Sequence, residues 1–192
     1  GALAVALATQ MARQKGTVSG HDFLDQLKSL LAPEADELVS LIHDAVNSIG
    51  RGQSTIAFAE SLGLSKGVSG YTYHSVPIVI HAWLSNQGDF RSAVSNAIAC
   101  GGDTDSTGAM VGGIVGASVG KEGIPMEWLD RLFEWPRSID WMERLGAQLD
   151  GSVKSGTVDR PITLPIYGVL PRNVFFLLLV ICHGVRRLLP PY

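Results

Sequence analysis

The chain has 192 residues, of which 46% are hydrophobic and 17% charged, with a formal net charge of -3. That length fits one domain able to bury a sizeable core, and the composition excludes an intrinsically disordered chain. A slightly acidic chain also carries no field that would draw in nucleic acid, which sets aside that class of partner.

Taken from its first residue, the sequence opens Gly1-Ala2-Leu3-Ala4-Val5-Ala6-Leu7-Ala8 without a methionine or a cap, and reads as a buried helix cut within its length. A secretory leader is the competing reading, but Arg13 and Lys15 follow the apolar run and do not precede it. Ser19-Gly20-His21-Asp22 resembles a capping box opening a helix over 21–31, with Phe23, Leu24, Leu27, Leu30 and Leu31 on one face. Pro33 suits a first helical turn, and Glu34, Asp36 and Glu37 suit its positive end; this helix runs to Gly50. Residues 54–62 form another short helix ended by Gly63.

The stretch 63–74 is rich in glycine and serine and then carries Tyr71, Tyr73 and His74. Glycine permits close backbone approach to a ligand, and aromatic rings offer flat faces to a base or a sugar; a surface loop with tyrosines lying over the core fits equally. Ser75 caps and Pro77 opens a helix over 76–84 that is apolar nearly all round and hence central, with His81 read as a hydrogen-bonded core histidine. Asp89 caps a helix over 90–99.

That helix delivers the chain to Gly101-Gly102-Asp103-Thr104-Asp105-Ser106. Two carboxylates two residues apart, followed by a hydroxyl, gather hard oxygens of the kind Mg²⁺ prefers, and that ion is commonly held by only one or two carboxylates with water completing its shell. Asp103, Asp105 and Ser106 supply one side of such a shell, with Thr104 pointing away. The same residues before an apolar helix are also ordinary N-caps, and one residue can do both. Cys100 adjoins the loop and reads as a small buried thiol, since sulfur is a poor ligand for a hard ion.

The next helix, over 107–120, carries Gly108, Gly112, Gly116 and Gly120 four apart, with Gly113 beside them. Each interior glycine costs about 0.5–1 kcal/mol relative to alanine, so a compensating close approach of neighbouring backbones is expected. Pro125 opens a helix with Trp128, Leu129, Leu132 and Phe133, and Ser138 caps another over 139–149. Glycine, serine and proline then interrupt every period, so 150–172 reads as a linker. Residues 173–192 form an apolar helix followed by Arg186, Arg187 and Pro190-Pro191-Tyr192. Its apolar core reads as too short to span a bilayer, leaving docking on the domain, a partner contact or a membrane surface. Cys100 and Cys182 form neither a disulfide framework nor a CxxC pair, which places the chain in a reducing, cytoplasmic compartment.

The run from 70 to 128 resembles the C-terminal metal-binding portion of the ADP-ribosylglycohydrolase family: an aromatic glycine loop into Ser75-Val76-Pro77, a helix, Gly-Gly-Asp-Thr-Asp-Ser, a glycine-rich helix, and Gly123-Ile124-Pro125 before Trp128. The resemblance implies an all-α, compact multi-helix bundle, truncated at its N-terminus, with residues 1–149 as the C-terminal portion of the domain. It also implies a cleft holding Mg²⁺, two ions in the complete protein, and hydrolysis of the glycosidic bond joining ADP-ribose to a protein side chain or a related small molecule. Asp103, Asp105 and Ser106 would then be metal ligands, serine keeping the hydroxyl of the family's usual threonine, and Gly70 and Tyr71 would touch substrate. The early acidic motif and the carboxylate acting on the leaving group belong to the half that precedes this portion, so no catalytic residue is assigned here and the isolated fragment is expected to be inactive. A non-catalytic ADP-ribose-binding or structural relative is the alternative, and a membrane-associated helical protein a weaker one.

Overall fold

The computed structural model describes residues 1–32, 35–132, 135–158, 160–164 and 166–188. The fold is all-α. Ten α-helices and a short 3₁₀ turn make up the regular structure of the described residues, which divide into two units, Gly1–Pro125 and Met126–Tyr192. The expected Pro33 and Glu34 helix start, Phe133, and the Pro190-Pro191-Tyr192 end lie outside the described residues.

The first unit holds α1 (Ala2–Lys15), α2 (Gly20–Leu30), α3 (Asp36–Gly50), α4 (Thr55–Ser61), α5 (Thr72–Ser85), α6 (Phe90–Ala99), α7 (Thr104–Val119) and the 3₁₀ turn Lys121–Gly123. Its axis is α5, in which every residue from Ser75 to Trp83 is buried. A helix that is apolar on all sides must be surrounded, and α1, α3, α4, α6 and α7 all pack on it. Trp83 meets Phe23 of α2 edge to face at 5.5 Å, and His81 stacks on Phe58 of α4 at 4.9 Å. His81 is fully buried; its Nδ1 lies 3.1 Å from the Thr55 hydroxyl, and burial lowers its pKa to about 4. Nε2 has no hydrogen-bond partner among the described residues, so the core histidine is only half satisfied. α1 buries Ala4, Leu7, Ala8, Met11 and Ala12, as a core helix should.

Several helix ends differ from those read in the sequence. α5 begins four residues before the expected 76: Tyr71 is its N-cap, Ser75 sits inside and donates to the Tyr71 carbonyl at 3.2 Å, and Pro77 lies within the helix. The helix tolerates that proline because only one early backbone bond is lost near its start. Ser19 occupies the N-cap of α2 without a side-chain cap bond, and the buried face holds only Phe23, Leu24 and Leu27; Leu30 is exposed. Asp89 and Ser54 do cap, accepting from the N–H groups of Ser92 and Ala57. α7 starts at Thr104, which puts Asp105 and Ser106 in its first turn and not in a loop before 107.

The second unit comprises α8 (Met126–Leu129), α9 (Ile139–Ser155) and α10 (Ile166–Leu188). Ser138 caps α9 as expected, accepting from the Trp141 N–H at 3.2 Å, and Gly156 ends it in the left-handed region. Both α9 and α10 reach into the stretch read as a linker, α9 running on to Ser155 and α10 beginning at Ile166 and not at 173. Gln148 of α9 holds two residues of the connection that follows, donating to the Arg160 carbonyl at 2.6 Å and accepting from the Ile162 N–H at 3.1 Å. α10 has 23 residues and is long and apolar enough to cross a membrane by length and composition, where the sequence reading took its apolar core as too short.

Candidate functional site

The acidic loop is positioned by a second loop, the one that leads from α4 into α5. Gly67, Gly101 and Gly102 all adopt positive φ, at 115°, 71° and 78°, a region that side chains with a Cβ rarely enter. This lets the two backbones touch: the Val68 N–H donates to the Gly101 carbonyl at 3.1 Å, and the Asp103 N–H donates to the Val68 carbonyl at 2.7 Å. Val68 and Gly102 form an isolated parallel bridge. A Cβ at Gly67 would fall 2.7 Å from the Gly102 nitrogen, and one at Gly102 would collide with the Val68 carbonyl. Val68 itself is fully buried in a cluster with Ala45, Phe58, Ala59, Leu64 and Ile78. The acidic loop is thus anchored to the core through one aliphatic side chain and two backbone bonds.

Asp103 occupies the N-cap position of α7, yet its side chain makes no cap hydrogen bond. The Asp103 carbonyl accepts from the backbone N–H and the hydroxyl of buried Thr107, at 3.1 and 3.0 Å, which fixes its backbone and leaves the carboxylate available. Oδ2 of that carboxylate faces Gly70 so closely that a Cβ there would lie 2.7 Å away. Asp105 is exposed, and its pKa is lowered, first by a hydrogen bond with the Asp103 carboxyl and then by the N–H groups of Ser106 and of Asp105 itself. Neighbouring carboxylates repel each other when both are ionised, and a cation beside them relieves that repulsion.

Beside this pair lies a cavity of about 510 Å³. Asp103, Ser106, Gly70, Thr72 and Ser75 line its polar side, and Val5, Val76 and Met110 its apolar side. The structure therefore brings Gly70, Asp103 and Ser106 together. Asp105 adjoins Asp103 without lining the cavity, and Tyr71 also stays out of the lining. The Tyr71 side chain is more than half exposed, tilted against Tyr73 at 5.1 Å and edge-on to His74 at 5.3 Å. Cys100 is half-buried, with burial raising its pKa and its Sγ donating to the Asn96 carbonyl at 3.4 Å, which suits packing.

Among the described residues no group of three or more His, Cys, Asp or Glu side chains is gathered to hold a metal. Two carboxylates and a hydroxyl nevertheless fit a hard cation that keeps much of its water, and the uncapped Asp103 carboxylate and the space left by Gly70 agree with that use. The sequence reading missed Val68, Thr72, Ser75, Met110 and the α1 wall. Only the glycines at 67 and 70 hint that the intervening backbone runs against something.

An all-α unit whose central helix borders a mostly apolar cavity, with paired carboxylates at its edge, is the class this architecture defines. The chain belongs to the ADP-ribosylglycohydrolase family, whose model matches residues 1–157. The ADP-ribosyl-[dinitrogen reductase] glycohydrolase of Rhodospirillum rubrum is 34% identical to it over 64 residues, 33% of this chain and 21% of that protein. The match thus spans about a fifth of that relative's length. No solved structure matches the chain.

Proposed function

We propose that this chain forms one wall of the cleft of a Mg²⁺-dependent hydrolase that cleaves the glycosidic bond between ADP-ribose and a protein side chain or a related small molecule, in the cytoplasmic compartment. Family membership supports the reaction class. The observation that carries the site is the Asp103 carboxylate, which sits at a helix N-cap without capping and instead faces Gly70 at the edge of the cavity.

In this reading Asp103, Asp105 and Ser106 hold the cation. When bound, Mg²⁺ supplies positive charge that orients sugar hydroxyls and acidifies water. Gly70 leaves room for a sugar to approach the carboxylate edge, and the exposed Tyr71 ring offers a face for the base or ribose. Val5, Val76 and Met110 line the apolar side of the cavity. Cleavage at the ribose anomeric carbon passes through an oxocarbenium-like state and needs an oriented water and a proton for the leaving group. Asp103 and Asp105 are assigned to holding the ion and not to moving that proton, and no general acid is assigned within this chain.

The test is binding of Mn²⁺ as a paramagnetic stand-in for Mg²⁺, read by electron paramagnetic resonance. Asp103→Asn and Asp105→Asn should each weaken it by about tenfold or more, the order expected for loss of a charged ligand. Unchanged affinity in both variants would refute the metal role. Release of ADP-ribose from ADP-ribosyl-arginine or ADP-ribosyl-serine by this chain joined to the family's preceding half separates a hydrolase from a binding relative, because only the hydrolase turns over.

A further inference from the structure

The feature that neither the candidate site nor the family match absorbs is α10, which lies beyond residue 157. Phe175, Phe176, Leu177 and Leu178 are 55–57% exposed. Four consecutive helical residues point in four directions about 100° apart, so no face of this segment is packed. From Val174 to Cys182 there is no polar side chain other than the Cys182 thiol, and only 6% of the apolar window is buried. A helix that docks on protein has an apolar stripe and a polar back, and a helix lying in a membrane interface needs a strongly polar face. α10 has neither. A helix apolar on all sides calls for an apolar medium on all sides.

Dimensions and charge identify that medium. The 23 residues of α10 extend about 34 Å, against ~30 Å for the hydrocarbon core of a bilayer. Its charges lie toward the ends: Arg172 on one side, Arg186 and Arg187 on the other, about 21 Å apart along the axis from Arg172 to Arg186. Long arginine side chains extend that reach when they turn outward to phosphate headgroups, for which Arg172 must leave its place 5.7 Å over the Phe176 ring.

We propose that α10 inserts into a lipid bilayer and spans its hydrocarbon core, with Arg172 and the Arg186–Arg187 pair at opposite headgroup layers, and so holds the chain at a membrane. The occupant of the exposed apolar surface is lipid and not a second copy of the chain.

The test is flotation of the full chain with phosphatidylcholine vesicles, with and without phosphatidylserine, followed by an alkaline carbonate wash. The wild-type chain should float with both vesicle types and resist the wash. Leu178→Lys places a charge at the middle of the helix and should lower the bilayer partition coefficient by about a hundredfold, whereas Leu178→Ala should still float. Leu178 is exposed, so an unchanged thermal midpoint in both variants shows that folding is intact. The proposal is overturned if the wild-type chain stays in the soluble fraction. It is equally overturned if the chain binds only anionic vesicles and washes off, or forms a lipid-free oligomer that depends on Leu178.

Discussion

A methyl group at Gly70 would lie 2.7 Å from Oδ2 of Asp103, closer than two such atoms can approach. Gly70 is not among the glycines at positive φ, so alanine is compatible with its backbone and the strain falls on the flexible end of one carboxylate. Gly70→Ala should therefore leave the thermal midpoint nearly unchanged while weakening Mn²⁺ binding by about tenfold, the order expected when a charged ligand is turned aside. A variant that binds Mn²⁺ as tightly as the wild type would show that Asp103 is not a ligand. At this scale the sequence was informative where chemistry resides in residue type: two carboxylates and a hydroxyl at short spacing mark the loop that the structure places at the edge of a cavity. It was silent about Val68, because a buried valine carries no mark of which distant backbone it contacts. The pairing of Gly67 with Gly102 was equally hidden, since each looks like an ordinary loop glycine until the two strands are seen to touch.

Helix α7 shows the limit of an argument made from one element alone. Gly108, Gly112 and Gly116 do face α6, where Phe90, Val94 and Ile98 lie across from them, but the approach is less tight than the spacing suggested. A Cβ at Gly112 would sit 3.5 Å from Phe90 and one at Gly116 3.6 Å from it, which is ordinary van der Waals contact. The side chains of α6 fill the groove, so the backbones have no need to come closer. Replacing both glycines should then raise stability, since alanine in a compatible helical site gains about 0.5–1 kcal/mol. Urea unfolding of the Gly112→Ala, Gly116→Ala double variant should show a higher midpoint, and a lower one would restore the close-approach reading. The helix starts were missed for a related reason. Ser75 and Pro77 look like a cap and a first-turn residue, but burial of Ser75 and the Tyr71 carbonyl bond draw the helix back to Thr72. Tertiary packing overrode a local preference of small size.

Among the described residues, the buried hydrophobic ones run from Ala4 to Val115, all within the first unit, with α5 at the centre of that core. Global stability should accordingly follow the chemistry around α5, and the titratable group fully buried there is His81. Burial lowers its pKa from 6.5 to about 4, so the folded state holds the neutral ring. As pH falls below 6.5 the unfolded chain takes up a proton that the folded chain refuses until about pH 4. Stability is therefore fully present above the unfolded pKa and declines as pH drops through this window. The loss between pH 7 and 5 should be about 2 kcal/mol. Asp89 and Asp105, whose pKa values are also lowered, lose their contributions only at more acidic pH, below the ordinary carboxylate value of 3.8, and so do not mask it. Urea midpoints taken across pH 7 to 5 should fall in the wild type and stay nearly level in a His81→Leu variant, which removes the titrating ring but keeps an apolar side chain against Phe58. A wild-type midpoint that does not move over this range would mean that His81 is protonated in the folded core, with a partner for Nε2 that the packing around α5 does not provide.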